Sequence, residues 1–325
     1  MTEAALHTYL NTLPCGGDTL TVTGHPAPDT DAVISALFEA WRRTLGGTPA
    51  APLVQGTIPR ETAWLLGSLA SAVPTADRPD PAARLVLTDH HDVGAYPNPV
   101  VAVVDHHPLS KGMDFSGMDA AVLPVGAATT LVACRIRAYG IVPDAYCARI
   151  LLGAILLDTE GLSPYKAKEE DLDAAAWLVS LCGEEPADLF QRLRAELLSE
   201  TDLPTLYRRD YRRYTAPDGT FTLGWAILKV WEDACPDFEG IRALLAADPA
   251  PTRVAKVVLH NPDGGREEYY LADGSAADLL LTAVQTSAGA PARRVAPDTV
   301  YLPAGCRHWG RKHYAAHLIE ILGKN

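Results

Sequence analysis

Aspartate and histidine recur together at four places in the first half of the chain. TLTVTGHPAPDTDA carries His25, Asp29 and Asp31; LVLTDHHD carries Asp89, His90 and His91; VAVVDHHP carries Asp105, His106 and His107; LLGAILLDTEG carries Asp158. Two neighbouring apolar runs thus end in the same three letters, Asp-His-His. Carboxylate oxygens and imidazole nitrogens without a thiol suit a hard to intermediate divalent ion, such as manganese or cobalt, better than a structural zinc. Several aspartates gathered in one crevice repel one another unless cations neutralise them. Two ions roughly 3.5–4 Å apart would share carboxylates and activate a bridging water for in-line attack on a phosphoryl group.

Each piece also has a plain structural reading. His25 alone reads as a loop histidine, and Asp29 or Asp31 reads as the N-cap of a helix starting near Ala32, a role that does not exclude ligation. A single Asp-His-His at a strand end reads as a turn. Asp158 resists such a reading, because a carboxylate near the end of an apolar helix opposes the helix dipole and is costly if buried unpaired. Taken together, the four segments favour a dinuclear site.

Delivering these side chains to one place requires a particular scaffold. TLTVTG (19–24), RLVLT (84–88) and VVAVV (100–104) read as strands, the last two as β-branched runs buried on both faces of a parallel sheet. AAVLP (120–124) reads as a further strand. Residues 32–46, 126–140 and 147–159 read as helices, the last apolar almost all round. The alternation predicts an α/β fold with a doubly wound, mainly parallel sheet, whose strand ends converge on one crevice. Residues 168–214 read as two or three amphipathic helices, followed by strand-like runs at 221–231, 253–260 and 266–272. The chain is therefore expected to comprise an N-terminal catalytic metal-binding domain, 1–195, and a smaller C-terminal mixed α/β domain, 196–325.

With 325 residues, 48% hydrophobic and 21% charged, the composition is that of a globular protein with ample core. No apolar run is long enough to span a membrane, and the N-terminus lacks a secretory pattern. Six scattered cysteines without a Cys-x-x-Cys pair suit a reducing cytoplasm. A net charge of −12 argues against a duplex nucleic-acid coat but not against a small anionic substrate, since bound metals reverse the local field.

GHPAPDTDA, TDHHD, VVDHHP and the aspartate of AILLDT resemble, in order, spacing and strand context, the four signature motifs of the DHH phosphoesterase superfamily. PVGAATTLV (124–132) resembles the segment that follows the third motif. The second half points to one branch, the manganese-dependent (family II) inorganic pyrophosphatases and exopolyphosphatases. RRDYRRY (208–214) is similar to their phosphate-reaching basic segment, and WGRKHYAAHL (309–318) to their C-terminal cationic motif. The Gly-Gly-Gly-His loop of the RecJ-like branch is missing; NPDGGREEYY (261–270) has no following histidine.

The resemblance implies a set of roles. His25 and Asp29 would bind one manganese ion, Asp31 and His106 a second, with Asp89 and Asp158 bridging or shared; cobalt or magnesium are the substitutes. Asp89, Asp105 and His107 would form the catalytic group, with Asp105 orienting an imidazole and His107 at the phosphate. Arg212, Arg311 and Lys312, with His107 and His91, would hold the substrate, the C-terminal domain closing over it. A homodimer is the oligomeric state such relatives imply. The chain departs from the branch at His91 (usually Asn), Arg212 (usually Lys), Gly310 (usually Ser) and His313 (usually Lys).

The leading expectation is hydrolysis of a phosphoanhydride, pyrophosphate or short polyphosphate. A phosphodiesterase or exonuclease acting on short oligonucleotides or cyclic dinucleotides is the rival. It would want stacking platforms, for which Tyr96, Trp225, Tyr301 and Trp309 are candidates. A weakly catalytic binding or regulatory protein is the third reading, and the intact ligand set argues against it.

Overall fold

Short runs of valine, leucine and threonine become the strands that carry the site. The computed structural model describes residues 1–109, 113, 115, 117–198, 202–216, 219, 222–231, 236–260, 265–289, 291–307 and 314. It separates into two units, Met1–Glu200 and Thr201–Asn325.

The first unit runs α1 (Glu3–Asn11), β1 (Leu20–Thr23), α2 (Thr30–Leu45), β2 (Ala50–Gln55), α3 (Arg60–Leu66), β3 (Thr75–Ala76), β4 (Arg84–Thr88), β5 (Val100–Asp105), β6 (Asp119–Val122), α4 (Ala128–Ala138), α5 (Ala145–Asp158), α6 (Glu169–Cys182) and α7 (Pro186–Leu198). The strands form one sheet in the order β3-β2-β1-β4-β5-β6, and every adjacent pair is parallel. The chain builds outward from β1 to β3, then returns to lay β4 against the other side of β1. The carboxyl ends of β1 and β4 therefore flank the point where strand order reverses, the place where open α/β sheets bind ligands.

Period-two alternation decides what each face meets. Val22, Val54, Val86 and Val104 pack with Val33 and Leu37 of α2 and Leu151 and Ile155 of α5 in the main core. Leu85, Leu87 and Val103 point the other way, onto Val93, Tyr96 and Phe115. Those partners come from connecting segments: among the described residues, no α-helix lies in the β4–β5 or β5–β6 connection, and the first holds only a short 3-10 turn at Val93–Ala95.

The second unit runs α8 (Leu203–Arg209), β7 (Tyr211–Thr215), β8 (Thr222–Trp231), α9 (Phe238–Ala247), β9 (Thr252–His260), β10 (Arg266–Gly274), α10 (Ala277–Ala288), β11 (Arg293–Ala296) and β12 (Thr299–Leu302). Its sheet, ordered β11-β12-β10-β9-β8-β7, is mixed: β8 and β9 are parallel and the other described pairs antiparallel. The helical reading of residues 168–214 fails at its end, because Tyr211–Thr215 pairs with β8 as a strand. Among the described residues, no helix is long and apolar enough to cross a membrane.

Candidate metal centre

The turn leaving β1 is tightly made. A Cβ on Gly24 would stand 2.6 Å from the Ala32 Cβ, so the chain can pass close over the start of α2 only with glycine here. His25 follows. Its Nδ1 lies 3.0 Å from the Pro26 carbonyl oxygen, which can only accept, so Nδ1 donates and Nε2 faces inward. Asp29 is the N-cap of α2, one oxygen accepting from the Ala32 N–H at 3.0 Å and the other 3.8 Å from His25 Nε2. Asp31, in the first turn of α2 and 2% exposed, caps a different helix. Its carboxylate accepts from the Ala128 and Thr129 N–H groups of α4 at 2.6 and 2.8 Å. Capping thus coexists with a carboxylate near an imidazole in both residues, Asp31 buried and Asp29 exposed.

Asp89 stands one residue past β4 and is 2% exposed. Its two oxygens face two different imidazoles: Oδ2 is 3.3 Å from His25 Nε2, and Oδ1 is 3.1 Å from His106 Nε2. His106 donates from Nδ1 to the Val125 carbonyl at 3.1 Å, so its Nε2 also faces the crevice, 3.4 Å from Asp158 Oδ2 and 3.9 Å from Asp31 Oδ2. Asp105, fully buried at the end of β5, accepts from His107 Nδ1 at 2.9 Å and contacts His91 Nδ1 through its other oxygen. Burial alone would raise the Asp105 carboxyl, but His107 and His91 hold it well below the usual carboxylate range. His91 packs edge-on against Phe115. His90 is turned to Tyr96 and His25, and burial together with the His25 charge pushes its imidazole down to about 4.

Among the described residues, left-handed backbone at non-glycine positions is confined to the loops that carry these groups. The non-glycine residues with left-handed φ, among those described, are Ala27 (56°), Asp89 (59°), Glu160 (55°) and Leu162 (61°). One lies between His25 and Asp29, one is Asp89 itself, and two follow Asp158. Such conformations cost free energy and persist where surrounding contacts enforce them, often at functional sites.

Among the described residues three overlapping groups of donors result: two match the expected ligand sets, His25, Asp29 and Asp89, and Asp31, His106 and Asp158, and a third, Asp89, Asp105, His106 and His107, overlaps both. Their chemistry fits a divalent cation. Most of the donor separations, 3.3–3.9 Å, are too long for good hydrogen bonds yet match donors that would each sit ~2.1 Å from one shared ion. Charge balance points the same way. Buried Glu39 is met by the Arg42 and Arg43 guanidinium groups at 2.7 and 2.8 Å. No lysine or arginine among the described residues pairs with Asp31 or Asp89. Burial and the Asp89 and Asp158 charges drive the Asp31 carboxyl well above its usual range. Burial would push His25 and His106 down, but their aspartate partners raise both to about 11. A crevice that holds two protonated imidazoles and a reluctant carboxylate is one built for added positive charge.

The expected residues of the first unit therefore come together. Asp158 groups with Asp31 and His106, whereas Asp89 faces both groups. In the second unit, Arg212 lies on β7 with Nη1 donating to the Tyr211 carbonyl at 3.1 Å. Arg311, Lys312, Gly310, His313 and Trp309 lie outside the described residues. Trp225 is fully buried, stacked on Tyr314, and so offers no surface for a base. Sequence reasoning missed Lys166, whose ammonium lies 3.6 Å from Asp158 Oδ1, and Asp171, which accepts from Gly126 N at 2.7 Å and Thr130 Oγ1 at 2.5 Å.

No protein-family model matches the chain. It is 28% identical over 200 residues to the manganese-dependent inorganic pyrophosphatase of Methanothrix thermoacetophila, covering 59% of this chain and 63% of that protein. It is 30% identical over 217 residues to a probable manganese-dependent inorganic pyrophosphatase of Deinococcus radiodurans, covering 64% of this chain and 69% of that one. The chain thus spans about two thirds of the length of these curated relatives. A crystal structure from Methanococcus jannaschii, assigned to the family II inorganic pyrophosphatases, superposes with a TM-score of 0.69 at 18% identity, over 94% of this chain and all of that one. That likeness establishes the fold.

Proposed function

The chain belongs to the manganese-dependent inorganic pyrophosphatase family, and we propose that it hydrolyses a phosphoanhydride, most simply inorganic pyrophosphate, with manganese held at the crevice between β1, β4 and β5. One observation carries the reading: the two oxygens of buried Asp89 face two separate donor groups. In it, His25, Asp29 and Asp89 would hold one ion, and Asp31, His106, Asp158 and Asp89 a second, Asp89 bridging. When bound, the ions would supply Lewis acidity and lower the pKa of a coordinated water towards neutrality.

The chain's own residues do the rest. The Pro26 and Val125 carbonyls fix the tautomers of His25 and His106, so that each presents Nε2. Asp105 stays ionised and holds Nδ1 of His107, whose side chain is 36% exposed and so open to substrate. As water attacks one phosphorus and the bridging P–O bond breaks, His107 gives its proton to the leaving phosphate. His91 shares Asp105 with His107, which suits support of this pair. Arg212, Arg311 and Lys312 are read as the phosphate clamp of the second unit. A cytoplasmic homodimer is the setting this reading carries.

The test is phosphate release with manganese from pyrophosphate, tripolyphosphate and a short oligonucleotide in parallel. Release from pyrophosphate, lost on chelation, is expected. Cleavage of the oligonucleotide with pyrophosphate untouched would replace this reading with a phosphodiesterase.

A further inference from the structure

Asp158 presents a physical problem that its neighbours solve. It is the last residue of α5, a helix with no basic residue in its final turn, so its carboxylate sits at the negative end of the dipole. The chain then takes three successive left-handed residues, Glu160, Gly161 and Leu162, with φ of 55°, 74° and 61°. This turn folds residues 163–167 back over the helix end, where Ser163 N donates to Thr159 O at 3.0 Å and Lys166 N to Ser163 O at 3.0 Å. The Lys166 ammonium arrives on the terminus it must neutralise. It donates to the Asp158 carbonyl at 2.7 Å and lies 3.6 Å from Asp158 Oδ1 and 3.6 Å from Glu160 Oε1.

The far end of the loop is anchored too. Asp171 accepts from Lys168 N at 2.7 Å, while also gripping Gly126 N and Thr130 Oγ1 ahead of and within α4. Glu160, 8% exposed, gives the ammonium a second carboxylate partner at 3.6 Å. The two oxygens of Asp158 are thereby made unequal. Oδ1 faces the lysine ammonium at 3.6 Å, and Oδ2 is 3.4 Å from His106 Nε2.

We infer that Lys166 is a positioning residue for Asp158: its ammonium holds one carboxylate oxygen and the helix-end carbonyl, leaving the other oxygen turned towards Asp31 and His106. This rests on the reading above that Asp158 is a manganese ligand. The role differs from that of a simple charge. An ammonium near a metal site repels a cation, so its removal should tighten metal binding if charge is all it contributes. If it orients the ligand, removal should weaken binding, since partners that orient metal ligands are typically worth about 10–100-fold in affinity.

The experiment is a manganese titration of the full chain, following free manganese by electron paramagnetic resonance, for the wild type, Lys166→Met, Lys166→Arg and Asp158→Asn. Thermal unfolding of each metal-free variant is measured alongside. Lys166→Met is expected to weaken one manganese step by roughly tenfold or more, and Lys166→Arg to return to within about threefold of the wild type. Unchanged or tighter binding in Lys166→Met, with weaker binding in Asp158→Asn, overturns this inference and leaves the metal reading standing. Unchanged binding in Asp158→Asn overturns both. Should the methionine variant not fold, Lys166→Gln, which keeps an N–H donor for the Asp158 carbonyl, carries the same measurement.

Discussion

Asp89 is the residue on which the site turns. Its left-handed backbone, near-complete burial and two differently facing oxygens have no stabilising purpose that a neutral residue would not serve better. Asp89→Asn is expected to lower manganese-dependent phosphate release by at least about a hundredfold while keeping the far-ultraviolet circular dichroism of the wild type. Retained activity would remove Asp89 from the mechanism. A second expectation concerns protons. His25 and His106 are raised to about 11 in the metal-free chain, above the ordinary 6.5, so both are protonated near neutral pH. Their contribution to metal-free stability is complete below the unfolded value near 6.5 and is lost as pH rises through about 11. Ligation needs the bare Nε2, so manganese must displace these protons. Apparent affinity should rise with pH between about 7 and about 9, by up to roughly tenfold per pH unit for each proton released. Calorimetry in buffers of different ionisation enthalpy reads that release directly; binding without it would contradict the assignment. These residues were legible in the sequence because ligation concentrates His and Asp in short runs. Lys166 was not, because only the strained turn after α5 brings it back to Asp158.

At the scale of elements, the site depends on helix ends meeting strand ends. Asp31 on α2 caps α4 across a sequence separation of 97 residues, and Asp171 of α6 holds the segment just before α4. The Val125 carbonyl that orients His106 lies in that same segment. Asp171→Ala removes three hydrogen bonds to a fully buried carboxylate. It is expected to destabilise the chain by roughly 2–4 kcal/mol in urea unfolding, with weaker manganese binding as the Val125 segment loosens. An unchanged midpoint would show that α4 is held by packing alone. The strands β1, β4 and β5 could be read from their β-branched runs, and α2, α4 and α5 from their periodicity. The tertiary caps could not: an aspartate that caps its own helix and one that caps another look alike in sequence. Tyr211–Thr215 was misread because its register is set by β8, not by its own propensity.

Across the whole molecule, the two donor groups belong to the first unit, whereas the second unit has cores of its own around Trp225 and Leu228. Manganese should therefore raise unfolding stability by mass action, about 2.7 kcal/mol at a hundredfold excess over its dissociation constant. Hydrogen-exchange protection should grow mainly in residues 23–31, 88–92, 105–108, 125–131 and 157–167. Equal gains throughout the chain would contradict a site confined to these loops. The fold of each unit follows from strand and helix patterning, but the strand order that brings His25 beside Asp89 rests on long-range pairing that no local pattern encodes. The most direct measurement is a manganese titration of the wild type and Asp89→Asn read by electron paramagnetic resonance. Two ions per chain with an exchange-coupled spectrum, the coupling lost in Asp89→Asn, is the expected result. A single ion per chain, or two uncoupled ions bound equally by both proteins, would contradict a carboxylate shared between two metals.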